Sequence, residues 1–180
     1  MAMNDNFYDH LSFGKAAESL IARYFMRCGY VINPIYEIII NEGKGPQLFT
    51  MARSLVAPDL LITKPDHLTA WIEAKHKTGF TWHRITGRWV TGIDLRHYED
   101  YLRVEEITPW PVWLLFLQEG GQTKDSPVDS PAGLFGNGLH FLRQNENHRS
   151  GKWGKSGMVY WAHNKLRPLA SLEEIKESRP

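Results

Sequence analysis

Three side chains within the stretch Pro58–Lys77 carry most of the chemistry this sequence offers: Asp59, Glu73 and Lys75. Two carboxylates held side by side repel, and each makes the other harder to ionise. A hard divalent cation removes that repulsion and is bound by oxygen ligands. A lysine beside such a cation can position a water or, as the neutral amine, deprotonate it, and as the ammonium it can balance charge on a phosphate. These are the parts of metal-assisted phosphodiester hydrolysis.

Whether the three side chains meet depends on the elements that carry them. Leu60 to Thr63 and Ala70 to Lys75 are apolar runs of strand length, separated by the turn Lys64-Pro65-Asp66-His67. Pro65 supplies a fixed φ where such a turn needs one. Strand side chains alternate between faces. Glu73 and Lys75 therefore share one face, and Ile72 and Ala74 point into a core on the other. Antiparallel pairing of the two strands would bring Asp59, at the mouth of the first, beside Glu73.

Upstream, the pattern predicts a helix from about Ser12 to Cys28, with Ser12 as its cap and Gly29 at its C-terminal end. Phe13, Ala17, Leu20, Ile21, Tyr24 and Cys28 form its apolar stripe. On that stripe Cys28 reads as a buried structural thiol. At 3.6 residues per turn, Glu18 lies about 100° from the centre of the stripe, at the edge of the buried face. That position can aim a carboxylate at a neighbouring sheet.

Asp59, thirteen intervening residues and then Glu73-Ala74-Lys75 resemble the motif of the PD-(D/E)xK nuclease superfamily. Pro58-Asp59 opens one apolar strand and Glu73-Ala74-Lys75 closes a second, as in that family. The resemblance implies a restriction-endonuclease-like α/β core, a mixed central sheet flanked by helices in the order αβββαβ. It implies that Asp59 and Glu73 bind Mg²⁺, with Mn²⁺ as a substitute, that the backbone carbonyl of Ala74 joins the metal, and that Lys75 assists the water. Gly14-Lys15-Ala16-Ala17-Glu18 resembles the first-helix segment of the Holliday-junction resolvase branch. This implies that Glu18 joins the metal site, that branched or structured DNA is the substrate, and that the chain works as a homodimer, although no interface is legible. RNA fits the same motif. The rival reading is a catalytically silent nucleic-acid-binding or structural subunit that keeps the fold.

Beyond the strand, residues 76–90 interleave basic and aromatic side chains, a pattern that neutralises phosphates and stacks on exposed bases. His76, Lys77, His83, Arg84 and Arg88 are the contact candidates there, and Lys15 and Arg53 are further ones. Gly92 to Ile107 reads as a second helix capped by Asp94, with His97 and Tyr98 within reach of the cleft. Pro111 to Gln118 is a continuous apolar run suited to a strand buried on both faces. Leu139 to Leu142 reads as a short strand, Asn147 to Lys152 as a basic loop, Met158 to His163 as a last strand, and Ser171-Leu172-Glu173-Glu174 as a capping box.

The chain has 180 residues, enough for a single domain, with a core over about 12–118 and a loop-rich elaboration over about 119–180. With 21 basic against 20 acidic residues it lacks the charge of a protein that coats DNA. A single cysteine excludes an internal disulfide. No apolar run reaches membrane-spanning length, and the N-terminus has no signal-peptide pattern. A cytoplasmic location is the expectation.

Overall fold

The structure, a computed structural model, describes residues 5–35, 46–64, 69–124, 126–152 and 156–177, with residues 5–15 and 34 described by backbone alone. Residues 65–67 of the predicted turn lie outside the described residues.

Helix α1 (Asp5–Arg27) begins before Ser12, which therefore sits inside it and does not cap it. Ala17 and Ile21 are fully buried. Gly29 ends the helix with φ of 83°, the left-handed region that favours glycine. Cys28 is exposed, not buried. The packed stripe stops at Tyr24 and Phe25, about one turn short of it.

The strands follow as β1 (Val31–Pro34), β2 (Gln47–Phe49), β3 (Ser54–Val56), β4 (Leu60–Thr63), β5 (Ala70–Lys77), β6 (Thr81–His83) and β7 (Arg88–Asp94). Then come α2 (Leu95–Ile107), β8 (Val112–Gln118), β9 (Gly133–Gly138), α3 (Leu139–Gln144), β10 (His148–Ser150) and β11 (Met158–Ala162). A 3₁₀ turn (His163–Lys165), β12 (Arg167–Ala170) and α4 (Leu172–Lys176) close the described chain.

Six strands form the central sheet in the order β1-β4-β5-β8-β9-β12. β5 is antiparallel to β4 and parallel to β8, so the sheet is mixed. The elements that build its first four strands and flank them occur in the order α1, β1, β4, β5, α2, β8. Leu114 and Phe116 of β8 pack into one core with α2, and Leu115 and Leu117 into another with α1 and α4. The apolar run is thus buried on both faces. Gly136 of β9 lies opposite Leu115, where an added Cβ would come within 2.5 Å of the Leu114 carbonyl. The close approach of those two strands needs glycine.

A second sheet, β10-β11-β7-β6, packs beside the first, and β2 and β3 form a separate hairpin. Sequence patterning misread several of these parts. Gly92 to Asp94 finish β7 instead of starting the helix, although Asp94 does cap α2 by accepting from the Arg96 N–H at 3.0 Å. Leu139 to Leu142 is helical: its two buried leucines stand three residues apart, a helical repeat. His148 to Ser150 is a strand paired with β11, not a loop. The region after Gln118 supplies two strands to the central sheet and two to the second. The Ser171 capping box is present in full.

Candidate active site

Pairing between β4 and β5 runs only as far as Leu60 opposite Ile72. One residue beyond, the Asp59 side chain takes the place of a backbone partner: its Oδ2 accepts from the Ala74 N–H at 2.8 Å. The Asp59 carbonyl accepts from the Ile35 N–H at 3.0 Å, so the residue is held from both sides. This clip brings the acid onto β5 beside Glu73.

Alternation along β5 puts Trp71, Glu73, Lys75 and Lys77 on one face and Ala70, Ile72 and Ala74 on the other. The alanine face packs on Ala17 and Ile21 of α1. The Glu73 face is covered as well, by α2, and Glu73 is only 1% exposed. Tyr101 of α2, itself buried, lies against the Glu73 carboxylate, and Lys75 forms an ion pair with Glu73 Oε1. Beyond these two neighbours and Asp59, the buried Glu73 oxygens find no hydrogen-bond partner among the described residues. Burying a carboxylate against a second acid is costly, and native proteins rarely do so without cause.

The charges respond as expected of a crowded, dry site. Burial, and then Glu73, push the Asp59 carboxyl up to about 7, against the pull of Lys75 and of the Ala74 N–H. Burial pulls the Lys75 ammonium down, but Glu73 and Asp59 outweigh it and hold it well above its usual value. Burial and Glu73 push the Tyr101 hydroxyl far up, so it stays protonated. Burial and Lys75 bring Lys77 down to about 8. His97, one turn before Tyr101 on α2, is lowered by burial and by Lys75.

Glu18 is half-buried, and its charge acts on Lys75. Among the described residues, however, no three His, Cys, Asp or Glu side chains converge as a metal-ligand set. Glu18 thus faces the ammonium without standing as a third ligand beside Asp59 and Glu73. The donors present still fit a hard divalent cation: two adjoining carboxylates, Asp59 and Glu73, buried together so that each raises the cost of the other's charge.

The predicted nucleic-acid contacts separate. The Lys15 side chain lies outside the described residues. Lys77 continues the Glu73–Lys75 row, whereas His76 points to the other face, with its Nε2 3.0 Å from Glu119 Oε1. His83, Arg84 and Arg88 sit on or near the tip of the β6–β7 hairpin, away from the acids. Arg53 pairs with the buried Asp100 of α2 at 3.1 Å, a structural task. Tyr101 is the residue that sequence patterning passed over. Its place in the apolar stripe of α2 hides a hydroxyl aimed at Glu73; its only sequence signal is a polar atom at a core position.

No protein-family model matches the chain, and no curated protein matches its sequence. Among solved structures it is similar to Hjc, a Holliday junction resolvase from the archaeal hyperthermophile Archaeoglobus fulgidus. That match has a TM-score of 0.50 at 8% identity and covers 84% of this chain and 90% of the resolvase. A likeness to D212, a nuclease from a fusellovirus, covers 99% of this chain and 94% of that one at 14% identity, but its TM-score of 0.40 is too low to argue from. The shared architecture is the restriction-endonuclease-like fold, with its mixed central sheet between helices.

Proposed function

We propose that this chain is a metal-dependent nuclease that hydrolyses phosphodiester bonds of DNA, with branched or structured DNA as its substrate class. The observation that carries the reading is the Glu73 carboxylate: fully buried, crowded against the Asp59 carboxyl, and paired with Lys75. Two acids in such a place, one of them pushed up to about 7, are poised to give up a proton and accept a cation. The resolvase fold agrees with the reading.

Asp59 and Glu73 would hold the ion, Mg²⁺ or Mn²⁺, with the Ala74 carbonyl as a further oxygen and Glu18 behind Lys75. A bound divalent cation supplies Lewis-acid charge neutralisation on the phosphate and lowers the pKa of a water. The chain's own residues do the rest. Lys75 keeps its proton, so its part is to orient the attacking water and offset charge on the phosphate, not to act as a free base. Tyr101 holds a proton against Glu73 and limits where that carboxylate can turn. Lys77, next in the row, would meet a phosphate of the same strand.

The test is a panel of linear, nicked, forked and four-way DNA with Mg²⁺ or Mn²⁺, run on the parent, Glu73→Gln and Lys75→Ala. Cleavage by the parent and its loss in both variants is the expected result. Equal cleavage by all three proteins would remove the assignment. Retention of DNA on a filter with no product from the parent would favour a silent binding subunit.

A further inference from the structure

We propose that the β6–β7 hairpin opens DNA at a branch: Ile85 at its tip enters the base stack, and the adjoining Trp82–Trp89 cavity takes one unpaired nucleobase. This inference rests on the DNA-nuclease reading and adds the feature of the substrate that the chain would recognise.

A single exposed isoleucine is ordinary on a protein surface; Ile85 is distinguished by its company. It is 91% exposed at the tip of the hairpin, between the exposed cations Arg84 and Arg88. Cations flanking an apolar tip suit a polyanion whose bases are to be parted, and apolar side chains wedged between base steps are a known way of unstacking them. At the base of the tip is a cavity of about 210 Å³, lined by Trp82, Gly87, Arg88, Trp89, His163 and Asn164. Trp82 and Trp89 meet edge to face at 5.2 Å and 73°, making a corner of two apolar walls. Arg88 and Asn164 add exposed hydrogen-bonding groups at its rim. Flat apolar walls with a few polar groups suit a nucleobase, whose faces stack and whose edge hydrogen-bonds. Gly87 turns at the tip with φ of 58°, and nothing lies within 4 Å of where its Cβ would be, so the tip stands clear of the body.

A wedge must also be stiff. On the hairpin's β6 strand, His83 stacks on His148 at 4.0 Å and 10°, and His148 on Tyr160 at 4.5 Å and 6°. His83 Nδ1 is tied to Thr86 Oγ1 at 2.8 Å, which braces the turn itself. From Arg88, β7 runs unbroken to Asp94 and into α2, the helix that covers Glu73. Six strand steps make that distance about 20 Å. One continuous element therefore ties a branch point held at the hairpin to the phosphate presented to the acids.

The experiment uses the full chain in EDTA, which prevents cleavage, with forked DNA carrying 2-aminopurine at the first unpaired position. Linear duplex of the same sequence is the control. The parent should quench the fluorophore on binding and prefer the fork. Ile85→Ser and Trp82→Ala should each weaken fork binding about tenfold, the scale of one lost stacking contact. Both should also abolish the quench and leave duplex binding unchanged, and Ile85→Ser should keep the parent's melting curve. Trp82→Phe should restore most of the quench. Should Trp82→Ala fail to fold, Ile85→Ser decides, since its side chain is already in solvent. An Ile85→Ser protein with the parent's fork affinity and quench overturns the hairpin inference, and if the parent still cuts DNA with Mg²⁺ the nuclease reading survives. A parent that binds neither DNA also overturns the hairpin inference, and the nuclease reading falls with it only if the parent fails to cut DNA with Mg²⁺.

Discussion

Two carboxylates buried along α2, Glu73 beneath it and Asp100 on it, have opposite surroundings. Asp100 is 4% exposed and fully employed: Oδ2 accepts from the Val56 N–H at 3.1 Å, and Oδ1 meets Arg53 at 3.1 Å. It fastens the β2–β3 hairpin to the helix. Glu73 is 1% exposed, and its neighbours are the Lys75 ammonium, the Tyr101 hydroxyl and a second acid, Asp59. Burial is common to both; the second acid separates them. A carboxylate fastened to a backbone N–H and a guanidinium reads as construction, and one crowded against another acid as a site held ready for a further cation.

The strongest way to break that comparison is to neutralise each acid. Glu73→Gln should remove several kcal/mol of charge stabilisation from the reaction, on the order of a thousandfold in cleavage rate. It should lower the melting temperature, because Lys75 loses the partner that holds its charge. It should also abolish the rise in melting temperature that a saturating divalent cation gives the parent, about 2.7 kcal/mol at a hundred times the dissociation constant. A Glu73→Gln protein that still gains stability from Mg²⁺ would place the ion elsewhere.

Asp59 stands between the two, with one oxygen anchored on Ala74 and its pKa pushed up to about 7 from an ordinary 3.8. Between those values the metal-free folded protein holds a proton that the unfolded chain has released. This group's contribution is therefore full below about pH 4 and is lost as pH rises through 7. Melting curves without metal should fall across that window by more for the parent than for Asp59→Asn. Divalent-ion affinity should climb over the same range, since binding must displace the proton. Equal pH slopes for the two proteins would show that the acid is not held in this way.

Asp100 sharpens the contrast from the other side. Asp100→Ala strands the Val56 N–H, which should cost about 1–3 kcal/mol in chemical denaturation. The ion pair with Arg53 adds little, because that guanidinium is 61% exposed. DNA cleavage by the folded fraction should match the parent, the reverse of the Glu73 result.

Local pattern made much of this site legible. Pro58-Asp59 before one apolar run and Glu73-Ala74-Lys75 at the end of another specify which face each side chain takes and where the ladder must end. The apolar run of β8 announced a strand buried on both faces, and Ser171 to Glu174 spelled out a capping box. What stayed hidden was set by distant partners. Gly92 looks like the start of a helix until Tyr160 pairs with it across the sheet. Arg167-Pro168 does not resemble a strand, yet β12 is an edge strand, where proline is tolerated. Cys28 followed the helical stripe in sequence but outran the surface that the stripe packs on.

Tyr101 gives the finest division between a positioning role and a packing one. Its ring is part of the core, and its hydroxyl lies against Glu73. Tyr101→Phe keeps the ring and removes the oxygen, so stability should shift by less than about 1 kcal/mol. If the hydroxyl restricts the carboxylate, cleavage should fall within about tenfold. The loss should be greater at limiting than at saturating Mg²⁺, because a looser Glu73 binds the ion less well. A uniform loss at every Mg²⁺ concentration would mean that the hydroxyl acts on the substrate and not through Glu73. No change in either cleavage or ion dependence would return Tyr101 to the core as a packing residue, and leave Glu73 held by Lys75 alone.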